Sequence, residues 1–455
     1  MDLQFDTRQR WILTLTALAS FMTALDAMVV TTALTTIRDD LGASLGTLQW
    51  TVNAYNLSFS VLLMTGAALG ERFGRKRILI AGLLLFSIAS GVCGLSHSVQ
   101  WLIAGRILQG IGSALVAPVS MSILSSAFPG PQRAAALGTF ASVTGIALIA
   151  GPALGGAVTQ GLSWQWIFWL NIPVGAALIA LIIRQIDESH GDAIEIDFRG
   201  ALFLSLSALG LAWALVRGHN VGWSSAEVIA AVILAIGFGV AFIAVSNRSK
   251  FPMIPPRLFA VAGFRAALSA GALMYATLYG MLFLLPQLLQ SQSASVLQAG
   301  LKLLPWTATL FVIAPIAGKA VARVGERRIA TIGLILQGCG IGTVGWLSYQ
   351  GFGYLALVPA LIAAGAGVSM AMPAIQSVAM SSVTPQDIGK ASGVFNSVRF
   401  FAGFCGISII TEVFSRAGSF SSLTDIRTGT LTAMLVIAAI SLSGVIFASQ
   451  MPNRR

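Results

Sequence analysis

Four ionisable side chains stand inside long apolar stretches of the chain: Asp26, Arg106, Arg399 and Glu412, the last near the end of its run. A charge at the centre of a hydrocarbon layer costs roughly 2.5–3.5 kcal/mol on insertion scales, so such residues face a partner, a cavity or a pathway. A lone carboxylate in that setting is a proton or cation site, which makes Asp26 and Glu412, together with Arg106 as the charge that can act on Asp26, the proton-coupling candidates. A neighbouring positive charge favours an ionised carboxylate and burial favours the protonated form. A movement that alters either therefore takes up or releases a proton. Other chemistry is not visible. His97, His190 and His219 lack metal-ligand spacing and no nucleophile–His–acid grouping is evident, so the residues point away from an enzyme, a metal or another cofactor. Cys93, Cys339 and Cys405 fall singly within apolar runs and read as small core hydrophobes. The absence of a GxxxxGK[ST] loop implies a gradient rather than ATP as the driving force.

Short motifs surround these residues. Gly70-Glu71-Arg72-Phe73-Gly74-Arg75-Lys76-Arg77 forms a tight basic turn, where Gly74 permits a sharp reversal and Glu71 can meet a helix N-terminus or an arginine. A contact of that kind differs between two states and acts as a conformational switch. A fainter copy runs from Gly318 to Arg327 with Ala322 in the acidic position, which implies two related halves. The fourth apolar run opens with Leu102, Arg106, Gln109, Gly110, Gly112 and Ala114 at fixed spacing. The fifth carries Gly138 and then Gly151-Pro152-Ala153-Leu154-Gly155-Gly156, where small residues admit close helix approach and Pro152 bends the helix. Asp26 itself lies in Leu25-Asp26-Ala27-Met28-Val29-Val30. Tyr55 and Gln109 in the first half, and Asn396 and Arg399 in the second, are candidates for lining a substrate cavity.

Taken in order, these segments resemble the GxLaDRxGRKR loop, the LxxxRxxQGxGxA pattern, the antiporter motif and the LDxTVVxxALP pattern of the major facilitator superfamily, in its fourteen-helix drug:proton antiporter family. Departures are Ala67 for a glycine, Glu71 for aspartate, Ala147 for a glycine, Met28 for threonine and Thr35 for proline. The resemblance covers nearly the whole chain. It implies two six-helix bundles plus two inserted helices, with a substrate site near the membrane midplane between the repeats. It further implies proton-coupled efflux of hydrophobic, cationic drugs or toxic compounds across the cytoplasmic membrane. The alternative is an exporter of an endogenous metabolite or natural product, anionic and attracted by Arg106 and Arg399. Partners are then a small-molecule substrate, protons and the bilayer, with a monomer sufficient.

The elements that must position these residues follow from composition. A chain of 455 residues with 9% charged residues and mean hydropathy +0.85 cannot cover itself with a solvated surface, so its solvent is lipid. About 20 apolar residues cross a bilayer as a helix, and fourteen such runs are present, from Trp11–Leu34 to Thr430–Ala448. Runs such as Ile78 to Phe86 are apolar on every side and do not alternate, which excludes a membrane barrel and makes the protein all-α. Most of the 27 basic residues fall in alternate loops, and the opposite loops receive only Arg38, Arg217, Lys302, Arg416 and Arg427. Under the positive-inside rule both termini are cytoplasmic, with Arg75 and Asp192 inside and Ser96 and Gln350 outside. The same distribution accounts for the basic excess without nucleic acid. On this orientation Asp26 and Arg106 both lie in the outer half of the membrane and are placed to pair. Behind the polar start, Met1 to Arg10, the apolar stretch is too long for a signal-peptide core and lacks a cleavage site, so the first run is expected to stay attached as a span. The expected organisation is residues 1–185 as one bundle, 186–250 as an acidic linker with two inserted helices, and 251–455 as a second bundle. Asp187 to Asp197 reads as a solvated linker.

Overall fold

Segments that are apolar all round leave their backbone amides and carbonyls no water to bond, and only a helix satisfies those groups within the segment. The computed structural model describes residues 5–128, 131–191, 197–249, 252, 254–291, 294–384, 387–419 and 422–452, and no strand occurs among them. Asp192 to Ile196 of the acidic linker, Lys250, Arg454 and Arg455 lie outside the described residues. Among the described residues fourteen helices are long and apolar enough to cross a membrane, as the sequence predicts, and they are called the first to fourteenth spans in chain order.

The helices outrun the apolar segments because polar caps close them beyond the hydrocarbon. The first span is Thr7–Leu41 rather than Trp11–Leu34. Its Asp6 side chain accepts the Gln9 amide at 2.6 Å while Gln9 Oε1 accepts the Asp6 amide at 3.2 Å, satisfying two orphan donors reciprocally. Ser44 caps the second span and Ser98 the fourth in the simpler one-way form.

Two compact units form, Met1–Ser205 with Arg248–Met253, and Leu206–Asn247 with Ile254–Arg455. Much of the helix pair expected as a separate insert thus counts with the second unit. Its two helices, Phe198–Val221 and Ala226–Arg248, meet through the Ser207 hydroxyl, which donates to the Ala235 carbonyl at 2.8 Å, and through Arg217 on Glu227 at 2.8 Å. The turn between them places the Trp223 indole on Glu412, 3.1 Å away.

Within the first unit the first span packs along the fourth and fifth, and the second and third along the fourth. In the second unit the eleventh span, Glu326–Tyr349, packs on the twelfth, Tyr354–Ser381, and on the fourteenth, Leu423–Ala448. Both units turn sharply between consecutive helices on a glycine with positive φ, Gly74 at 106° and Gly325 at 91°. An L side chain is strained there, so the two basic loops are equivalent in backbone as well as in sequence.

Candidate proton-coupling site

Asp26 lies in the first span with its side chain wholly out of solvent, as does Arg106 in the fourth. The two form an ion pair through Arg106 Nη1 and Asp26 Oδ2. Gln109 follows Arg106 by three residues, hence on the same helix face. Its Oε1 accepts from Arg106 Nη1 at 2.8 Å, and its amide donates to Asp26 Oδ1 at 3.1 Å and to Ser90 Oγ at 2.8 Å. Asn171, in the sixth span, donates to the same Asp26 oxygen at 2.8 Å. Arg106 Nε donates to the Thr51 carbonyl at 2.8 Å, and the guanidinium lies 4.5 Å from the centre of the Tyr55 ring and 5.9 Å from that of Phe168. The Tyr55 hydroxyl meets Ser113 Oγ at 2.8 Å and the Thr23 carbonyl at 2.9 Å. Five spans therefore contribute to one network around this carboxylate, which the fourth and sixth touch directly.

Both carboxylate oxygens are engaged, whereas Arg106 Nη2 is buried without a hydrogen-bond partner. An aromatic face contributes about 0.5–2 kcal/mol to a cation. Removing one member of a buried ion pair costs about 3–5 kcal/mol, because the remaining charge is left uncompensated. The network is thus stable as a set and costly when broken singly, which suits a group whose charge changes during a cycle. The sequence offered Asp26 and Arg106 as coupling candidates and Gln109 and Tyr55 as cavity-lining ones; the structure puts all four in one network, together with Asn171 and Ser90, which were not singled out for a site. Asn171 could have been found as an amide inside an apolar run; Ser90, a small hydroxyl, carries no such signal.

The glycines of the fifth span serve the helix that bears Asp26. A Cβ on Gly151 would collide with Met28, and one on Gly155 with the Val29 carbonyl and Thr32, all within two turns of Asp26. Pro152 and Gly156 are buried beside them. Gly138 has open space where a Cβ would stand and takes no part in this contact.

In the basic loop Glu71 pairs with Arg75, 2.5 Å from Nη2 and 3.0 Å from Nε. Arg72 is exposed and lies over Phe73, Gly70 leaves room for Val119 of the fourth span, and Lys76 Nζ donates to the Ile183 carbonyl at 2.8 Å. The acidic linker is not simply solvated. Glu188 accepts the amides of Lys76 at 2.9 Å and Arg77 at 3.2 Å, and Gly191 donates to the Glu71 carbonyl at 3.2 Å. The reason is the start of the third span, whose unpaired amides and positive dipole end attract a carboxylate. Asp187 remains exposed and pairs with Arg8.

The remaining candidates sit in the second unit. Asn396 turns its amide back to the Ser392 carbonyl at 3.0 Å. Glu412 accepts from Arg416 at 2.5 Å as well as from Trp223. Arg399 lies over Tyr275 at 4.8 Å and Phe400 at 5.3 Å. Among the described residues no group of three or more His, Cys, Asp or Glu is placed to hold a metal ion.

Fold and site together define a polytopic helical membrane protein organised around a buried charge network. The Major Facilitator Superfamily domain matches residues 16–407, and the chain belongs to that superfamily. It is 31% identical over 401 residues to "Multidrug resistance protein Stp" of Mycobacterium tuberculosis, covering 88% of this chain and 74% of that protein. It is 33% identical over 402 residues to "Methylenomycin A resistance protein" of Bacillus subtilis, covering 88% and 86%. Among solved structures, a POT family transporter in complex with a thioalcohol-conjugated peptide shares the fold with TM-score 0.71 at 12% identity, covering 96% of this chain and 94% of that one. The nucleoside transporter NupG does so with TM-score 0.66 at 12% identity, covering 97% and 100%. The protein is a multi-pass membrane transporter for small molecules and not an enzyme.

Proposed function

We propose that this transporter exports hydrophobic compounds across the cytoplasmic membrane in exchange for protons. The observation that carries the reading is Asp26, a carboxylate inside a span whose direct partners come from two other spans, the fourth and the sixth. Protonation removes its charge, weakens its hold on Arg106 and frees Gln109 and Asn171 to rebond to Ser90, which both already touch. The first span is then less tightly held by the fourth and sixth, and its glycine contact with the fifth is the surface along which it shifts. The resistance proteins similar to this chain support export over import. In everted vesicles an imposed pH gradient should drive uptake of a lipophilic dye, a protonophore should abolish it, and ATP depletion at fixed gradient should leave it unchanged. Flux restored by ATP alone would show the coupling to be of another kind.

The orientation belongs to the same reading. Fourteen crossings return the chain to its starting side, and the positive-inside rule makes that side cytoplasmic. Ser96 is buried, its hydroxyl on the Cys93 carbonyl at 2.7 Å, so its exposed neighbour His97 is the better outer probe. In a cysteine-free background, single cysteines at His97 and Gln350 should react with an impermeant reagent in intact cells, and one at Arg77 should not. The reverse pattern would invert the topology.

The expectation of a cationic cargo needs a carboxylate with spare valence. Asp26 has both its oxygens bonded and its charge matched by Arg106, which brings the anionic alternative forward.

A further inference from the structure

We propose that Arg399 and the aromatic side chains around it form a receptor for the anionic group of a hydrophobic weak acid, a planar carboxylate or phenolate. The inference rests on the export reading and adds the charge of the cargo. Each unit places a buried guanidinium over a tyrosine ring, Arg106 over Tyr55 at 4.5 Å and Arg399 over Tyr275 at 4.8 Å. Only the first is given a counter-ion. Asp26 neutralises Arg106, whereas no carboxylate among the described residues lies within ion-pair reach of Arg399, and its Nε is shut off from solvent with no hydrogen-bond partner. Phe400 flanks the guanidinium at 5.3 Å, and the Tyr279 ring lies 6.0 Å from that of Phe400.

The box is built by two helices, Ala262–Ser291 and Ile388–Ala417. Gly403, one turn beyond Arg399, leaves the space into which the Tyr279 ring packs; a Cβ there would stand 2.7 Å from that ring. Phe395 meets the Tyr275 ring edge-on at 6.2 Å. Tyr275 and Tyr279 are held at 1% and 2% exposure, while Arg399 as a residue keeps intermediate exposure.

What this arrangement lacks defines what it takes. A guanidinium does not lose its proton in a protein. The ring faces attract it but carry no net charge. An unpaired charge inside a membrane protein is expensive to maintain, and such charges mark ligand or ion paths. The Nε–H and an adjacent Nη–H form a planar fork that matches a carboxylate in two parallel bonds, and the flanking rings offer apolar faces to an aromatic body. A cationic cargo would be repelled at this point.

The test uses the full-length protein in nanodiscs of phosphatidylcholine, with naphthoate, its uncharged amide and a naphthyl trimethylammonium as matched probes. Naphthoate should bind saturably and more tightly than either analogue. Arg399→Gln should weaken naphthoate by about tenfold or more while leaving the amide unchanged, and Arg399→Lys should fall between, keeping charge without the fork. The unliganded unfolding midpoint should hold or rise in Arg399→Gln, since an unpaired charge is removed, and the upward shift given by naphthoate should vanish. Equal naphthoate affinity in Arg399→Gln, or preference for the ammonium probe, would overturn the proposal. So would an Arg399-dependent midpoint rise with phosphatidylglycerol but none with naphthoate, which would assign the site to a lipid headgroup. Proton-driven flux of an uncharged dye into everted vesicles carrying the same protein reads the export function separately. Its persistence alongside failed naphthoate binding defeats the receptor alone, and its loss alongside Arg399-dependent binding defeats only the export reading.

Discussion

Asp26→Asn is expected to bind substrate with near-normal affinity and to lose proton-driven efflux, with a rate lower by on the order of a hundredfold, the scale contributed by a positioned proton-transfer group. Asparagine keeps an oxygen that can accept from Gln109 and Asn171, which bond Asp26 Oδ1 at 3.1 and 2.8 Å. It cannot take up or release the proton. Downhill movement of substrate should persist while uphill movement fails, and that split is what a purely structural aspartate would not produce. Glu412→Gln is the companion measurement. Glu412 lies near the end of its helix and is tied to Arg416 and Trp223, so its replacement should slow transport less and leave the pH dependence in place. Full uphill efflux by Asp26→Asn with an unchanged pH profile would remove Asp26 from coupling and transfer the role to Glu412.

Arg106→Gln is expected to destabilise the first unit by about 3–5 kcal/mol, the usual consequence of leaving one member of a buried ion pair behind. Asp26 would then be wholly buried with only neutral partners. The neutral double variant, Asp26→Asn with Arg106→Gln, should recover most of that loss, because it removes both charges and keeps amides able to bond one another. Asp26→Asn alone should cost less than Arg106→Gln. The guanidinium it strands retains the Thr51 carbonyl, Gln109 and the Tyr55 face. The measurement is thermal unfolding of the four proteins in one detergent, read as a double-mutant cycle. Strictly additive effects, with the double variant as unstable as the sum of the singles, would mean that the pair is not coupled. Restored stability should not restore transport, since neither residue of the double variant carries a proton.

How much of this was legible varies residue by residue. The pairing of Asp26 with Arg106 could be read in advance because so few charges enter the apolar runs, and opposite charges in lipid are driven together. Gln109 was readable from its spacing to Arg106 on one helix face. Asn171 and Ser90 were not. They lie 145 and 64 residues from Asp26 along the chain, and only the packing of the third and sixth spans brings them to it. The acidic linker misled for a related reason. A string of acids looks solvated, but whether Glu188 faces water or the start of the third span depends on where the chain runs after the sixth crossing, which no local pattern encodes. Gly138 and Gly155 are alike on paper, and only Gly155 meets another backbone.

By itself the sequence determined the solvent, the number of helices and the family, because hydrocarbon leaves a chain of this composition one way to satisfy its backbone and because the loop motifs have fixed spacing. Only the tertiary structure decided which buried charge goes without a counter-ion. Arg106 and Arg399 look equivalent as arginines in apolar runs, yet Asp26 stands beside the first and the second is surrounded by rings. Charge compensation acts across a few ångströms, and it is the close approach of glycine-bearing helices that sets which groups share that distance.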